Sequence, residues 1–212
     1  MLIKNQMLEY LFAQYKNYPT YEIVLEITAV IFGLLSVWYA KKDNILVFPT
    51  GLINTSIYVF LLWKWSLLGD MMINAYYFVM SIYGWYHWTR KKGDVVAYPI
   101  ARITKQEIKF SLVLFLATIL FVVAVYLIFN KFTNWMSYVD TFITGIFFVG
   151  MWLMAKRKIE NWIFWIVGNV ISVPLYFAKG YTFTSIQYII FTIIAVLALI
   201  EWKKILNNKI HK

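Results

Sequence analysis

The sequence predicts an all-α integral membrane protein with seven transmembrane helices in a three-plus-one-plus-three bundle of parallel repeats. Three observations predict it. First, 62% of the 212 residues are hydrophobic and only 14% are charged, and several apolar runs approach the roughly 20 residues that span a bilayer core. Second, the lysines and arginines fall outside these runs. Third, the first three runs and the last three echo each other.

The runs cover about 22–40, 46–63, 69–88, 111–130, 135–155, 160–178 and 182–202. The charge-free stretch from Ser111 to Asn130 lacks the polar face that a helix on a soluble domain needs, which excludes a water-soluble fold. With seven spans the termini lie on opposite sides. Lys and Arg outside the spans divide into five on one side and fifteen on the other. The rich side is the cytoplasmic one, so the N-terminus is outside and the C-terminus cytoplasmic. Residues 1–21 have Leu8, Leu11, Phe12 and Tyr15 at helical spacing and read as an interfacial N-terminal segment. Lys4, Asn5, Gln6, Glu9 and Gln14 break up its apolar character, so no cleavable signal is read there. Residues 22–90 form a first three-helix repeat and 131–204 a second. Residues 91–130 form a basic loop and joining helix, and 205–212 a cytoplasmic tail.

The net charge of +10 comes from short clusters beside spans: Lys41 and Lys42; Arg90, Lys91 and Lys92; Lys156, Arg157 and Lys158; Lys203 and Lys204. Topology and anionic lipid headgroups account for them, and no nucleic-acid partner is expected. The absence of cysteine removes thiol catalysis, cysteine metal sites and disulfides. There is no HExxH, GxSxG or GxxxxGK[ST] motif, so no catalytic residue, metal site or cofactor is expected. His87, Asp70 and Glu160 sit near span ends and read as solvated, while Asp140 reads either as a counter-ion for a cationic ligand or as an interface residue.

The echo between halves pairs Asn44, Phe48 and Gly51 with Asn161, Trp165 and Gly168, and Asn74 with Gln187. Both halves end in a tryptophan followed by basic residues, Trp88 and Trp202. An odd joining helix between two triplets makes them point the same way. Parallel repeats of this kind are a transporter architecture, with the ligand held where the units meet.

Polar residues inside the runs mark candidate contacts. At about 100° per residue, Trp162, Trp165, Asn169, Ser172 and Tyr176 share one narrow face of the sixth span. Asp70, Asn74, Tyr77 and Ser81 share an arc of the third, and Thr184, Gln187, Tyr188 and Phe191 one of the last. A side-chain amide in hydrocarbon must find a partner, so Asn54, Asn74, Asn169 and Gln187 read either as interhelical glue or as ligand contacts. Recurrence of amides, hydroxyls and rings on matched faces favours a ligand. Trp162 reads equally as an interfacial belt residue; Trp165, one turn deeper, reads as a ring that stacks on a flat ligand. Aromatic planes with neutral amides suit a flat heterocycle bearing hydroxyls. The lack of a carboxylate or histidine deep in a span fits passive facilitated diffusion. A membrane scaffold whose polar stripes only lock helices together is the competing reading.

The stretch "ENWIFWIVGNVISVPLY" followed by "KGYTFTSIQYIIF" resembles the PnuC family of bacterial nicotinamide riboside transporters, as do "GDMMINAYYF", "SIYGWYHWTRKK" and "MAKRKIENW". The resemblance covers nearly all of residues 22–204. It implies a SWEET-like bundle in the bacterial inner membrane that binds nicotinamide riboside between the repeats. It also implies uncoupled uptake made directional by a cytosolic riboside kinase, and a homo-oligomer such as a trimer. By motif position, Trp162, Trp165 and Asn169 would contact the ligand, with Gln187 and Asn74 as matched amides. The family pattern more often has glutamine where this chain has Asn74, which keeps thiamine and riboflavin open as alternative vitamins.

Overall fold

The computed structural model describes residues 19–65, 68–93, 95–130, 132, 134–179 and 182–210. The interfacial segment expected over 1–21 lies outside these residues, apart from its last three. Among the described residues there are seven α-helices: α1 (Thr20–Lys41), α2 (Val47–Lys64), α3 (Leu68–Thr89), α4 (Lys105–Ile128), α5 (Trp135–Ala155), α6 (Asn161–Ala178) and α7 (Thr182–Ile210). A two-stranded antiparallel hairpin, β1 (Lys91–Lys92) and β2 (Val95–Val96), stands between α3 and α4.

Local chemistry sets several boundaries. Thr104 and Glu107 form a reciprocal capping box that starts α4, six residues ahead of the apolar run. Asn134 caps α5 by accepting from the Met136 N–H at 3.0 Å. Pro174 lies inside α6, where it removes one backbone donor; next to it the Val173 carbonyl accepts from the Ser185 hydroxyl at 2.8 Å, tying α6 to α7. The tail expected from residue 205 continues α7 as far as Ile210, because nothing between Trp202 and Ile210 breaks a helix.

Six helices close into a ring in the order α1, α2, α3, α5, α6, α7, and α7 returns to α1. Helix α4 packs outside the ring, mainly on α5, and leaves Leu112, Leu116 and Leu120 exposed. Helices α1, α4, α5 and α6 are each long and apolar enough to cross a membrane. Asn54 and Asn74 dilute the apolar character of α2 and α3, whereas α7 carries a long apolar run from Ile189 to Ile200.

The largest buried cluster lies at the basic end of the ring and includes Ala40, Val47, Phe48, Trp88, Met154, Trp162, Ala198 and Trp202. Its contacts come in pairs. The Trp88 indole donates to the Ala155 carbonyl at 3.2 Å, and the Trp202 indole donates to the Ala40 carbonyl at 3.0 Å. Phe48 meets Trp88 edge-on at 5.0 Å and 88°; Trp162 meets Trp202 edge-on at 5.5 Å and 89°. Asp43 and Arg157, 114 residues apart, form an ion pair at 2.8 Å. Both adopt left-handed backbone conformations, φ 52° and 56°, in the turns that lead into α2 and α6. Phe48 to Trp162 and Trp88 to Trp202 repeat that same spacing. The echo read from the sequence set Phe48 against Trp165, one turn away. A slip of three residues keeps nearly the same helix face, which is why periodicity did not detect it.

Two expectations of solvation are corrected. His87 is buried, stacked on Tyr98 at 3.8 Å and on Tyr83 at 5.7 Å. Glu160 accepts from the Ile103 backbone N–H at 2.9 Å. The cause in both cases is the segment after the hairpin, which folds back on the basic end: Ile100 is buried there, and Ala101 bridges to Lys158.

A ligand cavity inside the helical ring

The ring encloses a cavity of about 1290 Å³, above the few hundred to 1,000 Å³ usual for small-molecule sites and ample for a nucleoside-sized ligand with water. Ala40, Val47, Phe48, Met154 and Trp162 line it at the basic end; Asp70, Tyr126, Asn134, Asp140 and Lys179 line it at the other. Every helix of the ring contributes, so the lining exists only once the ring has closed.

Trp162, Trp165, Asn169, Tyr176, Thr184, Gln187, Tyr188, Asn54, Asn74 and Tyr77 all line this cavity. Ser172 does not; it is fully buried behind the lining, beside the Tyr188 phenol. Trp162 is 1% exposed and stands on Trp202 at the floor, so it is not an interfacial belt residue. Trp165 lies between Phe147 at 5.4 Å and Tyr77 at 6.3 Å. Phe147 runs parallel to Tyr188, 6.1 Å away at 7°, and Tyr188 meets Tyr176 at 5.0 Å. Rings from α3, α5, α6 and α7 thus form a continuous aromatic wall.

The polar groups divide into committed and uncommitted. Asn54 donates to the Ala29 carbonyl across to α1 at 2.7 Å, so its amide joins helices. Asn74 donates to the Asp70 carbonyl in its own helix at 3.0 Å. Asn169 is 3% exposed, yet among the described residues its carboxamide makes no hydrogen bond, and neither do the side chains of Gln187 and Tyr77. The indole N–H groups of Trp162 and Trp165 are buried without an acceptor. Buried donors are nearly always satisfied, and leaving one unmade costs about 1 to 3 kcal/mol. A gap of this kind next to a cavity is filled by a ligand or by water.

Phe147 was missed from the sequence because the half of α5 that carries it, from Gly145 to Ala155, has no hydroxyl, amide or charged side chain and no face stands out there. The available signal was Gly168, beside Asn169: a Cβ there would lie 2.3 Å from the Phe147 ring, so the glycine marks a close approach. Asp140 accepts from the Tyr126 hydroxyl at 2.6 Å and pairs with Lys179 at 3.0 Å. The Asp140 charge is thus already answered inside the protein by Lys179.

Apolar spanning helices around an internal cavity of rings and uncommitted hydrogen-bonding groups define a multi-pass membrane transporter. The matching family model is described as "Nicotinamide mononucleotide transporter" and covers residues 23–204; the chain belongs to this family. It is 26% identical over 199 residues to the nicotinamide riboside transporter PnuC of Escherichia coli, spanning 81% of this chain and 82% of that protein. It is also 26% identical over 197 residues to the riboflavin/roseoflavin transporter RibM of Streptomyces davaonensis, spanning 82% and 88%. The crystal structure of the vitamin B3 transporter PnuC superposes with a TM-score of 0.65 at 21% identity, covering 95% of this chain and 90% of that one, which establishes the shared fold.

Proposed function

We propose that this protein is a facilitator for uptake of nicotinamide riboside across the bacterial inner membrane. The observation that carries the reading is the pairing of an aromatic wall around Trp165 with buried, unanswered hydrogen-bonding groups on Trp162, Trp165 and Asn169. A flat heterocycle stacks on Trp165, and a carboxamide and ribose hydroxyls answer Asn169, Gln187 and the indoles. Relatives named as nicotinamide riboside transporters, from Escherichia coli and Neisseria mucosa, support the same ligand. Riboflavin is the second reading, because a relative of equal identity is named for it and the cavity has room for the larger ring system.

The same proposal makes α1–α3 and α5–α7 two like-oriented repeats joined by α4. The paired contacts at the basic end support this. The distribution of Lys and Arg supports an outer N-terminus and a cytoplasmic C-terminus. Transport is uncoupled, driven by intracellular phosphorylation through a riboside kinase, and the protein assembles as a homo-oligomer, a trimer by likeness to its family.

Purified protein in liposomes tests the proposal with nicotinamide riboside, its phosphorylated form, thiamine and riboflavin as ligands. Saturable uptake of the riboside with quenching of tryptophan fluorescence is expected. Trp165→Ala should weaken binding about tenfold to a hundredfold, the scale of one lost stacking contact or unpaired group. Binding of the phosphorylated form alone would overturn the neutral-site argument, and no response to any ligand would leave a scaffold.

A further inference from the structure

The end of the cavity away from the floor holds charges that the stacking site does not use. Among the described residues three carboxylates line the cavity, Glu26, Asp70 and Asp140, and one ammonium, Lys179. Asp140 is neutralised by Lys179 at 3.0 Å and further held by Tyr126. Glu26 also has a partner. Among the described residues the Asp70 side chain makes no hydrogen bond and no ion pair. Asp70 shares this end of the lining with Asp140, Lys179 and Tyr176. The lining at this end therefore holds carboxylates in excess of ammonium groups, Asp70 among them, against rings whose faces are themselves electron-rich.

The protein already shows what that environment attracts. The Lys179 ammonium sits 5.0 Å from the centre of the Tyr176 ring while paired to Asp140, a cation between an aromatic face and a carboxylate. A positively charged ring stacked on Trp165 meets the faces of the same aromatic wall, with the Asp70 carboxylate lining the same cavity. The uncommitted groups deeper in the cavity, Asn169 above all, show independently that a ligand belongs there.

We propose that Asp70 is the charge-selecting residue of the cavity, holding heteroaromatic cations in preference to neutral heterocycles of the same shape. This rests on the transport reading above and sharpens it. Of the two ring systems named for relatives, it selects the pyridinium of a nicotinamide riboside, which carries a permanent positive charge, over the uncharged flavin. An attraction of this kind acts on the ligand's charge and leaves stacking and hydrogen bonding unchanged.

Calorimetry in detergent tests the proposal with nicotinamide riboside and its dihydropyridine form, which has the same carboxamide and ribose without the charge. Wild-type protein should bind the cation about tenfold more tightly. Asp70→Asn, nearly identical in shape, should remove that preference by weakening the cation alone, and Asp70→Glu should retain it. Equal losses for both ligands in Asp70→Asn, or no loss for either, overturn charge selection and leave the transport reading standing. Failure of the wild-type protein to bind either riboside overturns both.

Discussion

Helices α1–α3 and α5–α7 agree at the basic end and differ halfway along, and the difference separates what builds the fold from what faces the ligand. At the basic end the edge-on ring pairs and indole-to-carbonyl bonds repeat almost contact for contact. Deeper in, the same close approaches are made with the partners exchanged. Between α1 and α2, Gly33 makes room for Asn54, with 2.9 Å to a Cβ placed on the glycine. At the corresponding place between α5 and α6, Phe147 takes the position of Gly33 and Gly168 that of Asn54, with 2.3 Å to a Cβ. One turn away Gly51 faces Ser36, whereas Trp165 faces Gly150. The helix spacing needs one small residue per contact and is indifferent to which helix supplies it. In the second triplet this freedom places Phe147 and Trp165 in the cavity; the first contributes mostly small and polar groups there, with Tyr77 as its ring in the aromatic wall.

If that exchange builds the aromatic wall, reversing it should have the largest effect. Gly168→Leu places branched carbon where the Phe147 ring now lies, and overpacking a filled contact costs about 3 kcal/mol at the upper end of the usual range. The melting temperature in detergent should fall and riboside binding should be lost. Adding Phe147→Ala should recover most of the stability and none of the binding. A Gly168→Leu protein with wild-type melting and affinity would show that the approach of α5 to α6 is not what positions the wall.

Next in size is the link between the triplets. The Arg157 guanidinium pairs with Asp43, donates to the Tyr98 carbonyl at 3.2 Å and lies 4.2 Å over the Trp88 ring. Its side chain is 9% exposed and that of Asp43 23%, so the pair is only partly screened. Arg157→Met should cost about 2 kcal/mol, below the 3 to 5 typical of fully buried pairs. Asp43→Asn in the same background should add little, because the two act as a unit. Additive losses in thermal melting would show that the residues contribute separately.

The difference between the ends of the molecule also explains what the sequence reveals. The span expected over 135–155 coincides with α5, since apolar length and a capping asparagine are local properties. The stripe on α6 lines the cavity as expected, apart from Ser172, because a helix fixes which residues share a face. Which turn of α2 corresponds to which turn of α6 is not local: a slip of three residues leaves the face unchanged, and only the tertiary contacts of Phe48 with Trp88 and of Trp162 with Trp202 decide it. His87 is buried by the segment after the hairpin, which folds back so that Tyr98 stacks on it, and no pattern around residue 87 encodes that. Phe147 is hidden for the opposite reason, since from Gly145 to Ala155 the helix has no hydroxyl, amide or charged side chain and no periodicity remains to read there.

The smallest expected effect is the sharpest test of likeness between the triplets. Trp88 is 4% exposed and Trp202 is fully buried, and each gives its indole N–H to the last turn of the first helix of the opposite triplet. Replacing either with phenylalanine keeps most of the apolar volume and removes the donor. The Ala40 carbonyl retains a second donor, the Asp43 N–H at 3.0 Å, so the loss there is a net hydrogen bond rather than an orphaned acceptor. Each substitution should cost about 1 kcal/mol, Trp202→Phe slightly less than Trp88→Phe despite its deeper burial. Thermal melting of the two single variants should then show near-equal shifts, and the double variant a shift that departs from their sum, because the two rings meet at 6.0 Å. A Trp202→Phe loss several times that of Trp88→Phe would mean that α7, with its longer reach beyond the ring, anchors the basic end alone, and that the paired contacts are alike in geometry but not in energy.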